Sequence, residues 1–207
     1  MKRLLLFIAF AVVLTGTVAR AQGELVFGFA GGPSLATFTG SDAKLWGSVD
    51  ANPSFQVKFH FGVVMDYQFK DKLFFQPRLL YSTKGPKYSG NFDGQELSYK
   101  KLLSYIDLPI LVRYMITDQL YVTGGPQIGF LLSAKSDDGN EKYDEKEYYK
   151  SVEVAFVFGM GYSITEMIGV NLTYDLGLTS VDEGYEGSSY NVKNGVVKVT
   201  LVVFLRK

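Results

Sequence analysis

From residue 55 onward the chain alternates. Phe55, Val57, Phe59, Phe61, Val63, Met65, Tyr67 and Phe69 form one row, with Gln56, Lys58, His60, Gly62, Asp66 and Gln68 between them. A period of two marks a β-strand, whose successive side chains point to opposite faces. The alternation returns in later segments. Ile106, Leu108, Ile110, Val112 and Tyr114 oppose Tyr105, Asp107, Pro109, Leu111 and Arg113, and Val152, Val154, Phe156, Phe158, Met160 and Tyr162 oppose a row containing Glu153. Val170, Leu172, Tyr174 and Leu176 oppose a row with Asp175, and Val197, Val199, Leu201 and Val203 oppose Lys198 and Thr200. Charge is confined to one face. Eight apolar side chains in a row would leave a large exposed patch on a water-soluble protein, whereas a Lys or Arg facing mid-bilayer lipid costs roughly 2 to 4 kcal/mol. The pattern therefore predicts strands that cross a membrane.

Strands are predicted near residues 24–36, 55–69, 73–84, 100–116, 120–133, 150–164, 168–180 and 194–205. Each can span a bilayer, for which a tilted strand needs about 9 to 11 residues. Lys70-Asp71-Lys72, Thr117-Asp118-Gln119 and Thr165-Glu166-Met167 read as tight turns, and 37–54, 85–99, 134–149 and 181–193 as long polar loops. Short turns on one rim and long loops on the other define an eight-stranded antiparallel up-and-down transmembrane β-barrel, with its turns in the periplasm and its loops outside the cell. Gly28, Gly31, Gly32 and Pro33 suggest a bulge or bend in the first strand.

Residues 1–21 read as a cleaved signal peptide: Lys2 and Arg3, an apolar run over 4–14, then Ala19-Arg20-Ala21. Residues 22–207 would then be one barrel domain. The run is too short for a spanning helix, and no later stretch is long enough. An exported chain of 207 residues with no Cys relies on its sheet rather than on disulfides. Lys plus Arg equals Asp plus Glu at 21 each, which gives no electrostatic basis for nucleic acid binding. The alternative is a soluble exported lipocalin-like binder, whose exterior would carry Lys, Glu and Thr.

An eight-stranded barrel is only wide enough for side chains to fill it. The expected lumen set is Lys58, His60, Asp66, Arg78, Lys84, Asp107, Arg113, Glu153, Asp175 and Lys198. Both signs are present, so a network of ion pairs and hydrogen bonds is expected, because a desolvated charge is costly unless paired. His60 is the only histidine, and no spacing argues a Ser-His-Asp set around it. The carboxylate-rich loop stretches 136–149 and 181–191 lack the spacing of an EF-hand loop. No catalytic residue, metal or cofactor is therefore expected. Tyr67, Phe69, Phe74, Phe75, Tyr114, Tyr121, Tyr162 and Tyr174 suit an aromatic girdle near the tight-turn rim. Tyr88, Tyr99, Tyr143, Tyr148, Tyr149, Tyr185 and Tyr190 fall in the outer loops, where Tyr beside Gly and Ser suits an adaptable contact surface. Trp46, the only tryptophan, reads as a membrane-interface anchor.

The strings YIDLPILVRY (105–114), GGPQIGFLLSAK (124–135) and GVNLTYDLGLTSV (169–181), with three tight turns and four long loops, resemble the PorT-like outer-membrane β-barrel family of Bacteroidetes. The resemblance spans the mature chain and implies an outer-membrane location. Its partners would be outer-membrane lipid, the barrel-assembly machinery and envelope proteins, the barrel itself being a monomer. Such chains commonly end on an aromatic residue, and this one ends Phe204-Leu205-Arg206-Lys207. The resemblance also implies that some members assist protein export through the type IX system. Three functions stay open: export accessory, surface binding through the outer loops, and a purely structural barrel.

Overall fold

The computed structural model describes residues 25–44, 52–92, 95–184 and 190–205. The leader, Trp46 and Tyr185 lie outside the described residues. Among the described residues the strands are β1 (Leu25–Thr39), β2 (Asn52–Ser54), β3 (Gln56–Lys70), β4 (Leu73–Lys84), β5 (Lys87–Phe92), β6 (Gln95–Met115), β7 (Leu120–Asp137), β8 (Lys142–Asp144), β9 (Val152–Ser163), β10 (Ile168–Gly177) and β11 (Lys193–Leu205), with a 3-10 turn at Lys146–Tyr148.

Eight of these strands close a ring in the order β1, β3, β4, β6, β7, β9, β10, β11, and β11 returns to β1 through pairs running from Phe27 with Leu205 to Thr39 with Lys193. Every neighbouring pair is antiparallel. Closure removes the sheet edge, so neighbouring strands pair all the way round the ring, as hydrocarbon requires. The charge-free rows face outward. Phe55, Val57, Phe59, Phe61 and Val63 are all exposed, while Lys58, His60, Val64 and Asp66 between them are buried. The same sorting runs down β6, where Leu108, Ile110, Val112 and Tyr114 are exposed and Asp107, Leu111 and Arg113 are buried.

Two of the tight turns share one device. Thr117 Oγ1 accepts the Leu120 N–H (2.9 Å) and Thr165 Oγ1 accepts the Ile168 N–H (3.0 Å), so a hydroxyl three residues back satisfies the first donor of the returning strand.

The first strand is not bulged. Its register with β3 runs unbroken from Leu25 opposite Tyr67 to Ala36 opposite Gln56. Gly32 is there because a Cβ would collide with the Val199 carbonyl of β11. Register shifts lie instead between β6 and β7, where Ser104 pairs with Ser133 but Tyr105 pairs with Leu131, and between β3 and β4, where Gln68 pairs with Phe74 but Lys70 with Leu73.

Two expected loops are also strand. The segment 85–99 is a hairpin of β5 and the outer part of β6, paired from Lys87 with Lys100 to Phe92 with Gln95. Within 134–149, β7 runs on to Asp137 and pairs with β8. At 21 and 18 residues, β6 and β7 exceed the roughly 9 to 11 that cross a bilayer, so both project beyond it.

Candidate functional site

The interior falls into three levels. At the outer end Phe38, Ala43, Tyr88, Leu103, Tyr105, Leu131, Ala134, Tyr149, Val181 and Val192 pack into one apolar cluster, with Tyr99 against it. Tyr88 and Tyr99 sit opposite each other across the β5–β6 hairpin and stack with ring centroids 5.0 Å apart. Tyr88 also donates a hydrogen bond to the Ala43 carbonyl (3.1 Å). Burial pushes the Tyr88 and Tyr149 hydroxyls above the ordinary tyrosine range, so both are neutral in this plug. These three tyrosines were expected on the contact surface, and burial corrects that. Tyr143, Tyr148 and Tyr190 remain exposed.

Below the plug lies a knot of charge drawn from β4, β6, β9, β10 and β11. Lys84 Nζ reaches Asp107 Oδ1 at 2.9 Å and Glu153 Oε2 at 3.3 Å, beneath the Tyr105 ring at 4.4 Å. Lys198 Nζ bridges Asp175 (2.7 Å) and Asp107 (3.5 Å), and Asn194 Nδ2 donates to Glu153 (2.8 Å). Each of these residues comes from an inward position of a different strand or strand level, and ring closure brings them together.

Nearer the periplasm, Arg113 Nη2 meets Asp66 Oδ2 at 2.7 Å, and Gln76 Nε2 donates to the other Asp66 oxygen (2.9 Å). Arg78 Nη2 donates to Gln76 Oε1 (2.5 Å). The Arg113 guanidinium lies between the Phe74 ring (4.2 Å) and the Tyr121 ring (4.9 Å). Both rings therefore face the lumen rather than the lipid girdle expected of them. Tyr174 lies toward the loop end of β10, away from the tight-turn rim. Tyr162 is at that rim, donating to Gln119 Oε1 (2.6 Å). A cavity of about 500 Å³ opens below Arg113, walled by Val26, Phe74, Tyr121 and Phe204 with Asp118 and Glu166 on its rim.

All ten candidates are buried: Lys58, His60, Asp66, Arg78, Lys84, Asp107, Arg113, Glu153, Asp175 and Lys198. They form two clusters rather than one network, and two members stand apart. Lys58 Nζ donates to the Lys101 carbonyl (3.0 Å) and has no ion pair among the described residues. His60 Nε2 is hydrogen-bonded to Thr200 Oγ1 (2.8 Å). Inward direction alone does not supply a carboxylate at their level. Gln76, Asn194 and the buried Lys101, paired with Glu145 at 2.5 Å, were not foreseen. Lys101 was legible, since it shares the inward row of Leu103, Tyr105 and Asp107. Among the described residues no group of three or more His, Asp or Glu could hold a metal ion.

A closed ring of eight antiparallel strands with an apolar exterior, a polar interior, short turns on one rim and hairpins on the other defines an outer-membrane β-barrel. Residues 20–183 match the family model described as outer membrane protein beta-barrel domain, and the chain belongs to that family and to the outer membrane. The soluble lipocalin-like alternative is thereby set aside, as the exposed aromatic belt requires. The fold is similar to that of Neisserial surface protein A (TM-score 0.54, 12% identity, covering 87% of this chain and 98% of that one). Weaker likenesses are Ail of Yersinia pestis (TM-score 0.47, 13% identity, 88% and 99%) and the Escherichia coli outer membrane protein W (TM-score 0.41, 13% identity, 90% and 100%). No curated protein sequence matches the chain.

Proposed function

We propose that this chain is a non-enzymatic, monomeric envelope protein that binds a partner at the cell surface through the β5–β6 and β7–β8 hairpins. The observation that carries this reading is the apolar plug. It seals the outer mouth against solutes and at the same time anchors the hairpins that stand beyond it. Tyr143 and Tyr148 are displayed there above a braced base, in which Lys101 holds Glu145. Aromatic residues on a rigid support make good contact surfaces because little entropy is lost on binding. Residues 1–21 serve as the leader, and 22–207 fold as one unit delivered by the barrel-assembly machinery.

The PorT-like resemblance supports a second reading, an accessory to protein export, and the periplasmic cavity beneath Arg113 offers such a role a docking point. The two separate in one pair of strains. Replacing residues 138–143 by a short Gly-Ser turn is expected to abolish partner binding by whole cells and leave the secreted proteome unchanged. A deletion strain in which a defined set of secreted proteins accumulates in the periplasm, with surface binding intact in the turn variant, would overturn the surface reading in favour of export.

A further inference from the structure

The barrel wall has a gap between β3 and β4, whose ladder ends at His60 opposite Ser82, although β4 and β5 keep one register along β6 from Lys84 opposite Leu103 to Lys87 opposite Lys100. β4 ends at Lys84, and Gly85 (φ 103°) with Pro86 turns the chain into β5, while β3 and β6 run on past that level. Below the gap Thr83 Oγ1 ties to both backbone groups of Phe59, accepting from its N–H (3.0 Å) and donating to its carbonyl (3.1 Å). Above it β2 pairs with β5, and Ser54 Oγ donates to the Lys87 carbonyl (2.7 Å). Between these ties lies a groove of about 320 Å³ on the lipid-facing side, walled by Val57, Phe59, Thr83, Leu102 and Ser104, with Lys58 beneath.

The rim of this groove is basic. Lys87 and Lys100 are direct cross-strand partners on the outer face, an arrangement that destabilises a strand pair unless a counter-charge is supplied. Lys135 pairs with Leu102, one row nearer the membrane, and is exposed. Two of these lysines have acids opposite by register: Asp137, opposite Lys100, is engaged by Lys142 (3.8 Å) and the Gly139 N–H (2.9 Å), and Asp144, opposite Lys135, accepts the Lys146 N–H (3.0 Å). Three cations thus stand at the upper edge of an apolar slot, at the end of the lipid belt that faces outward.

We propose that this gap is a docking site for an anionic lipid of the outer leaflet, its phosphorylated head group held by Lys87, Lys100 and Lys135 and one acyl chain lying in the groove. Charge complementarity favours phosphate, and the continuity of the slot with the exposed Val57 and Phe59 favours a lipid over a soluble anion. The site lies at the membrane-side base of the two hairpins, away from their tips, and does not depend on their binding a surface partner.

The test uses the full mature chain refolded in phosphatidylcholine vesicles doped with lipid A, with retained lipid read by native mass spectrometry after transfer to detergent. The native barrel is expected to retain lipid A, and the triple variant Lys87→Gln, Lys100→Gln, Lys135→Gln to bind it on the order of a hundredfold more weakly. Leu102→Trp, which fills the slot and keeps every charge, is expected to lose retention too. It decides the matter if the triple variant does not fold. Equal retention by either folded variant, equal binding of dephosphorylated lipid A, or displacement of lipid A by inorganic phosphate at matched concentration overturns the proposal.

Discussion

Asp107 is the residue on which the interior turns. Fully buried, it faces Lys84 on one oxygen and Lys198 on the other. Replacing it with Asn takes away the carboxylate that Lys84 and Lys198 share, leaving Glu153 to the one and Asp175 to the other, and a hydrogen bond to a charged group contributes about 1.5 to 3 kcal/mol. Asp107→Asn is expected to lower stability by that amount in equilibrium urea unfolding from lipid vesicles. Lys58 offers the contrast, since among the described residues its ammonium is held by a carbonyl and by no carboxylate, and Lys58→Met should change stability by no more than about 1 kcal/mol. Equal effects of the two substitutions would mean that the clusters described here do not carry the energy. At this scale the sequence disclosed direction but not partnership. Parity alone turned Lys58 and Asp107 inward, yet Lys84 finds Glu153 across 69 residues of chain, a distance that only ring closure and side-chain length determine.

The strands themselves were legible to within a few residues wherever lipid enforces a charge-free face. The rule failed at both hairpins for a physical reason: beyond the bilayer the outward face has no need to be apolar, so Lys87, Lys100 and Lys135 stand on it with no cost of burial in lipid and the signal disappears. In β1 the glycines were visible but their purpose was not, because a bulge and a close approach of two backbones call for the same residue. Close approach makes its own prediction. A Cβ at Gly62 would overlap the Leu79 carbonyl of β4, so Gly62→Val should cost about 1 to 3 kcal/mol, as overpacking does, and shift the unfolding midpoint accordingly. The last loop carries a pH dependence. Burial raises the Asp182 carboxyl above its ordinary value, although its Oδ1 accepts the Gly184 N–H (2.7 Å). A raised carboxylate contributes fully at acid pH and loses that contribution as pH rises through its folded value. Asp182→Asn is therefore expected to slow hydrogen exchange of the Lys150 and Glu183 amides, which bond to Val181 and Tyr148 across this loop, at neutral pH, with no difference in acid below the ordinary Asp value.

Taken whole, the barrel stacks an apolar plug over a charged knot over an open periplasmic mouth, and the order of these layers matters more than any one of them. A plug at the outer end would keep external solutes from a lumen in which Gln127, Asn171 and Thr123 have polar atoms without partners among the described residues, groups that ordered water normally serves. The knot beneath would still obstruct ions if the plug were lost, so the sensitive probe of the plug is access rather than conductance. Nature supplies no cysteine in this chain, and Ser82, fully buried on the lumen face of β4 opposite Tyr105, can be replaced by Cys with little change in volume. In intact cells Ser82→Cys should resist a membrane-impermeant thiol reagent applied from outside. Adding Tyr88→Ala and Tyr149→Ala removes two rings from the plug at about 3 to 5 kcal/mol each, and in the fraction that remains folded, judged by retarded migration without boiling, the same cysteine should become labelled. Labelling of Ser82→Cys with the plug intact would show the outer mouth to be open, and would leave the hairpins as the walls of a channel instead of a platform standing on a closed one.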